Sequence, residues 1–142
     1  MIKKLITIAF ATVSLLALSG CSEGDSYHDN NDHDLTTLFL IDQNGHSYGG
    51  IPYQCDSMTY WDKTLANGEF SFYPGENCEF DFDGLIGNYA DDYYHDDIIY
   101  IIDYTEDGKE RIPYECNLFG TGSTYGNGSF DYNKNDECIF SF

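Results

Sequence analysis

The chain reads as an all-β protein built from one disulfide-stapled module present twice, and three observations predict it. Aromatic residues alternate with polar ones at a period of two, as in Phe70-Ser71-Phe72 and Phe80-Asp81-Phe82. Turn sequences carrying Asn-Gly or Asp-Gly separate short apolar runs, and no internal stretch shows helical periodicity. The whole pattern then returns 60 or 61 residues later.

Taken in order, Leu38-Phe39-Leu40-Ile41 is an apolar run that reads as a buried strand, closed by the turn Gln43-Asn44-Gly45. Ile51-Pro52-Tyr53-Gln54-Cys55 follows. Beyond Asn67-Gly68, Phe70 and Phe72 share one face of a strand. Tyr73-Pro74-Gly75-Glu76 turns the chain into a last strand bearing Phe80 and Phe82. The second copy repeats each step: Ile98–Ile102, the turn Glu106-Asp107-Gly108, Ile112-Pro113-Tyr114-Glu115-Cys116, Asn127-Gly128, then Phe130, Tyr132, Phe140 and Phe142. Asp42 matches Asp103, and Thr64 matches Thr124. This spacing predicts about eight strands, arranged as a sandwich or as two stacked small sheets. The modules span residues 38–87 and 98–142, joined by an acidic, tyrosine-rich linker over 88–97.

Each module has one early and one late cysteine. Four cysteines allow three pairings, and Cys55–Cys78 with Cys116–Cys138 is the one that respects the repeat; a pairing between copies is the alternative. Within a module each bridge would close a loop of roughly twenty residues and contribute about 3 kcal/mol. Cores of this size are marginal without such staples.

The N-terminus places the chain in an oxidising compartment, where such bridges form. Lys3 and Lys4 precede an apolar run from Leu5 to Leu18, too short for a comfortable membrane span and flanked like a secretory signal. Leu18-Ser19-Gly20-Cys21 resembles the lipobox of bacterial lipoproteins. That resemblance implies removal of residues 1–20, acylation of Cys21 and a membrane anchor, and Ser22 after the cysteine implies sorting to the outer membrane. Residues 21–37 then form the lipidated cysteine and an acidic tether, whose His28 and His33 read as parts of a solvated spacer. The pattern Tyr53-x-Cys55, Asn67-Gly68-x-Phe70 and Gly75-Glu76-x-Cys78-x-Phe80 is similar to small β modules of gammaproteobacterial surface lipoproteins and adhesin-like proteins. The resemblance implies an accessory binding role and carries no catalytic residues. Lys134-Asn135-Asp136 departs from it by replacing the Pro-Gly-Glu turn.

The net charge is −19. After signal removal only Lys63, Lys109, Arg111 and Lys134 face 25 acidic side chains. Such a surface repels nucleic acid and anionic headgroups, and leaves a cationic protein, a divalent cation or a neutral glycan as partners. Thirteen Tyr and ten Phe supply the apolar surface that an acidic disordered chain lacks.

Candidate chemistry is limited to binding. Glu79-Phe80-Asp81-Phe82-Asp83-Gly84 opens like an EF-hand loop, but its twelfth position is Ala90 where a bidentate Glu is needed. The candidate metal ligands are instead Asp91, Asp92, Asp96 and Asp97, with calcium the ion they would suit; the pairs Asp42/Asn44 and Asp81/Asp83 are lesser candidates. No motif calls for another cofactor. Gly120-Thr121-Gly122-Ser123 lacks the strand–turn–helix context of a nucleophile elbow, and oxidised cysteines offer no thiolate, so the chain does not read as an enzyme. Tyr60, Trp61, Tyr89, Tyr93 and Tyr94 lie outside the alternating strands and are the candidate binding residues, suited to stacking on sugars or anchoring a protein. The expectation is a non-enzymatic outer-membrane lipoprotein that binds through acidic, aromatic loops. The alternatives are a periplasmic inhibitor or immunity protein against a cationic toxin or cell-wall hydrolase, and a structural spacer.

Overall fold

A computed structural model describes residues 34–88 and 97–142; the signal segment, Cys21, the tether through His33 and residues 89–96 of the linker lie outside them. The described residues form nine strands and no helix. These are β1 (Thr36–Ile41), β2 (Pro52–Cys55), β3 (Asp62–Lys63), β4 (Glu69–Phe72), β5 (Asn77–Asp81), β6 (Tyr100–Ile102), β7 (Pro113–Cys116), β8 (Gly120–Ser123) and β9 (Glu137–Ser141). Three make a small sheet in the order β4-β1-β6, and six make a larger one in the order β3-β2-β5-β9-β7-β8. The protein is therefore all-β, in keeping with a sandwich.

Both sheets are shared between the modules about a pseudo-two-fold. In the small sheet β1 runs antiparallel to β6 with Leu40 opposite Ile101, and these are equivalent residues of the repeat. In the large sheet β5 runs antiparallel to β9 with Glu79 opposite Ile139, again equivalent residues. The pseudo-dyad thus crosses both layers. Leu40 and Ile101 use their own backbone groups within their modules: Leu40 donates to the Gly68 carbonyl at 3.0 Å and accepts from Tyr48 at 2.9 Å, while Ile101 repeats this with Gly128 and Lys109. Both side chains enter the core. The larger sheet is tied further by backbone bonds from Phe82 to Asp136 and from Phe142 to Glu76, 2.9 and 3.0 Å, each crossing between modules.

Inward-facing residues of the two sheets interlock as aromatic edges. Phe70 of β4 meets Phe80 of β5 edge-on at 5.0 Å, and Phe130 meets Phe140 in the same way at 4.8 Å. Tyr53 stacks on Phe80, and Tyr114 leans on Phe140. All the phenylalanines that alternate in sequence are buried except Phe142, which is half-buried. The disulfides join Cys55 to Cys78 and Cys116 to Cys138, the pairing within each repeat, between directly opposed positions on β2/β5 and β7/β9. The matched threonines are explained too. Thr64 and Thr124 are buried, and each hydroxyl donates to a carbonyl (Tyr48 or Lys109) while accepting an amide (Ile51 or Ile112).

Three details depart from the sequence reading. The strand count is nine, because the two-residue β3 and the glycine-rich β8 extend the edges of the large sheet while one expected strand of the second copy is absent. The second copy has only a bridge from Tyr100 to Ser129 where the first has β4. Asn88 stands in beside it, its side-chain amide taking the Tyr132 amide at 2.9 Å and donating to the Phe130 carbonyl at 2.7 Å. Finally, β1 is not wholly buried: Leu38 and Leu40 point inward, whereas Phe39 and Ile41 face outward and are half-buried.

Candidate functional site

That outward face carries an open groove. Register sets Phe39 beside Ile102 and Ile41 beside Tyr100, so four apolar side chains tile the outside of the small sheet across the pseudo-dyad. Phe39, Ile41 and Ile102 floor an open groove of ≈ 490 Å³, walled by Gly45 and Ser47 on one side and by Asp103, Tyr104 and Glu106 on the other. Tyr104 is 85% exposed.

The walls are two equivalent turns, each opened by an aspartate. Asp42 accepts the amides of Asn44 and His46, both at 2.8 Å, and its second oxygen lies 3.2 Å from His46 Nδ1. Burial pushes the Asp42 carboxyl up, but the bonds from His46 and Asn44 outweigh it and hold it below the ordinary value. Asp103 accepts the amides of Thr105 and Asp107 at 2.9 and 3.2 Å and the Thr105 hydroxyl at 2.6 Å, and pairs with the Lys109 ammonium. Lys109 above all, then Thr105, hold its carboxyl far below the ordinary range. Both aspartates are ionised at neutral pH and shape the turns. Glu106 projects from the second wall with a left-handed backbone, φ 65°, where the first module has Gly45.

Other sequence-derived candidates fall elsewhere. Tyr60 and Trp61 are 81% and 46% exposed in the β2–β3 loop, at the edge of the larger sheet, so they belong to the other layer. Tyr89, Tyr93, Tyr94, Asp91, Asp92 and Asp96 lie outside the described residues. Asp97 is described, and its polar groups are taken up by hydrogen bonds within the fold. Its carboxylate accepts the Ile86 amide at 2.6 Å, and its carbonyl accepts the buried Tyr132 hydroxyl. Of the lesser calcium pairs, Asp81 accepts the Asp83 amide at 2.9 Å, a local turn bond like those of Asp42. Two further clusters, Cys55/Glu76/Cys78 and Cys116/Asp136/Cys138, have metal-ligand composition. Their sulfurs are joined in disulfides and their carboxylates accept backbone amides, which leaves neither set as thiolate ligands.

The groove was hidden in the sequence. A four-residue apolar run reads as a strand buried on both faces, and period-two alternation does not say which face a second layer covers. The available signal was Tyr104 between acidic residues in a turn equivalent to Gln43-Asn44-Gly45. No protein-family model matches the chain, and no match was found among curated proteins or solved structures. The functional reading therefore rests on geometry and sequence.

Proposed function

We propose that this chain is a non-enzymatic, lipid-anchored envelope protein that binds a cationic partner protein over the outer face of its small sheet. The observation that carries the reading is the apolar floor Phe39/Ile41/Ile102 bordered on one wall by Asp103 and Glu106, on a chain of net charge −19. Covering the half-buried Phe39 and Ile41 would contribute roughly 1 kcal/mol each, about half the value for complete burial, whereas Ile102 is already buried. The carboxylates would add association rate and orientation, both falling with ionic strength. Glu106 supports the same reading. A left-handed non-glycine residue costs about 1–2 kcal/mol, and retention of that cost at a groove rim is characteristic of binding sites. Anchoring through Cys21, the tether and outer-membrane sorting rest on the Leu18-Ser19-Gly20-Cys21 sequence and Ser22. A glycan on Tyr60 and Trp61 is the second reading, favoured by the exposure of those rings.

The test is capture from envelope extract by the immobilised mature chain at low and high salt, beside Ile102→Asp and Tyr104→Ala variants. A basic protein retained at low salt, released at high salt and lost with either variant is the expected result. Retention indifferent to both variants refutes the site, and salt-resistant retention of glycan moves the function to Tyr60 and Trp61.

A further inference from the structure

The chain holds three Asn-Gly pairs: Asn44-Gly45, Asn67-Gly68 and Asn127-Gly128. Asn-Gly is the dipeptide most prone to deamidation, because glycine leaves its own amide nitrogen open to the preceding side chain. The reaction needs two freedoms. The asparagine side chain must swing over that nitrogen, and the glycine peptide must rotate to meet it. The fold withholds both at two of the pairs and leaves both at the third.

Gly68 and Gly128 are buried, and an added Cβ would stand 2.3 Å from the Leu40 carbonyl or 2.2 Å from that of Ile101. Their amides donate to Leu65 and Tyr125, both at 2.8 Å, and their carbonyls accept the amides of Leu40 and Ile101. The asparagines beside them are tied as well. Asn67 accepts the Glu69 amide and donates to the Glu69 carboxylate, both at 3.1 Å. Asn127 accepts the Ser129 amide at 3.0 Å and the Ser129 hydroxyl at 2.7 Å. The turn at Asn44-Gly45 differs on every count. Both residues are exposed, and nothing lies within 4 Å of a Cβ added at Gly45. The Gly45 amide makes a longer bond, 3.1 Å, to the Asp42 carbonyl. Among the described residues, Asn44 bonds only through its backbone amide, to Asp42, and its side chain has no hydrogen-bond partner.

We infer that Asn44 is a site of spontaneous deamidation selected by the fold. The Gly45 nitrogen gives up its proton and attacks the Asn44 Cγ. The bond from Cγ to the side-chain nitrogen breaks, and ammonia leaves with the proton. Water then opens the five-membered imide at either carbonyl, giving aspartate or isoaspartate, with no change of oxidation state. Either product puts a carboxylate where a neutral amide stood. Gly45 lines the outer-face groove on the wall opposite Asp103 and Glu106. Deamidation therefore gives that wall a carboxylate of its own and strengthens capture of a cationic partner. This consequence rests on the binding reading above; the modification itself does not.

The test ages the mature chain, disulfides intact, at mildly alkaline pH and maps its peptides by mass spectrometry with isoaspartate detection. Asn44 should convert at least about tenfold faster than Asn67 or Asn127, where reaction waits for local opening. In the reduced, urea-unfolded chain the three pairs should convert at similar rates. Asn44→Gln should abolish the early isoaspartate. Comparable rates at the three pairs in the folded chain overturn the proposal, and so does the same preference persisting after unfolding. Peptide mapping needs no partner, so it stands or falls apart from the binding reading. Asn44→Asp in the salt-dependent capture reads the consequence, and stronger low-salt retention than the parent is expected. Unchanged retention that Ile102→Asp still abolishes overturns the effect of the new charge while the groove remains the binding site.

Discussion

Asp136 and Glu76 occupy the same position in the two modules, yet Asp136 collects twice as many backbone amides. Its carboxylate accepts from Leu118, Phe119, Asn133 and Glu137 at 2.8–3.1 Å, and the residue is fully buried. Glu76 accepts from Ser57 and Tyr73 at 2.7 and 2.8 Å. Asp136→Ala leaves four donors without an acceptor and should cost about 3–5 kcal/mol; Glu76→Ala should cost about 1 kcal/mol, because water reaches its site. Urea unfolding of the two variants checks the contrast.

The left-handed residue on the groove wall separates stability from binding. Glu106→Gly relieves the backbone at φ 65° and should stabilise by about 0.5–1 kcal/mol after the added entropy of the unfolded glycine. The same change removes a rim carboxylate and should weaken capture of the cationic partner. Glu106→Gln removes the charge alone, so it should share the binding loss without the full gain in Tm.

On the outside of the large sheet, Asp81 faces Glu137 directly, and Glu79 lies two residues from Asp81 on the same strand, in register with Ile139. Burial, then the charges of Glu137 and Asp81, push the Glu79 carboxyl above its ordinary value. A carboxyl raised on folding destabilises the folded state above its pKa and has no effect once protonated in both states. Glu79→Gln should therefore stabilise by about 0.2–1 kcal/mol at neutral pH. The gain should shrink in salt and vanish below the carboxylate range. Glu76, held low against the upward push of burial by the Ser57 hydroxyl and then by the Tyr73 and Ser57 amides, has the opposite sign, and its contribution is lost on acidification. Unfolding curves at pH 7 and pH 3 distinguish the two.

Gly68 and Gly128 admit no side chain. Each has a left-handed backbone, φ 82° and 84°, and an added Cβ would stand 2.3 Å from the Leu40 carbonyl or 2.2 Å from that of Ile101. Gly68→Ala and Gly128→Ala should each cost at least about 2 kcal/mol, from conformation and clash together. Equal losses in Tm would show that both modules report one cooperative unfolding.

Those glycines were legible as turn residues, and the alternating phenylalanines as one face of a strand, because both follow from local geometry. The disulfide pairing followed from the duplication. What the repeat does not encode is which copy supplies a strand's neighbour. Identical patterns in β5 and β9 fit equally well beside each other or apart, so the shared sheets emerged only from the register. The loss of β4 in the second copy was illegible for a related reason. Its replacement is the single side chain of Asn88, in a segment whose composition reads as linker.

The register across Leu40–Ile101 and Glu79–Ile139 bears on how such a chain arose. A half-length ancestor would expose two sticky edges, β1 and β5, and a two-fold pair of such chains would cover both at once. Duplication with fusion turns that encounter between molecules into a tether within one. Assembly then no longer depends on protein concentration, and each half is freed to diverge on surfaces its twin does not share.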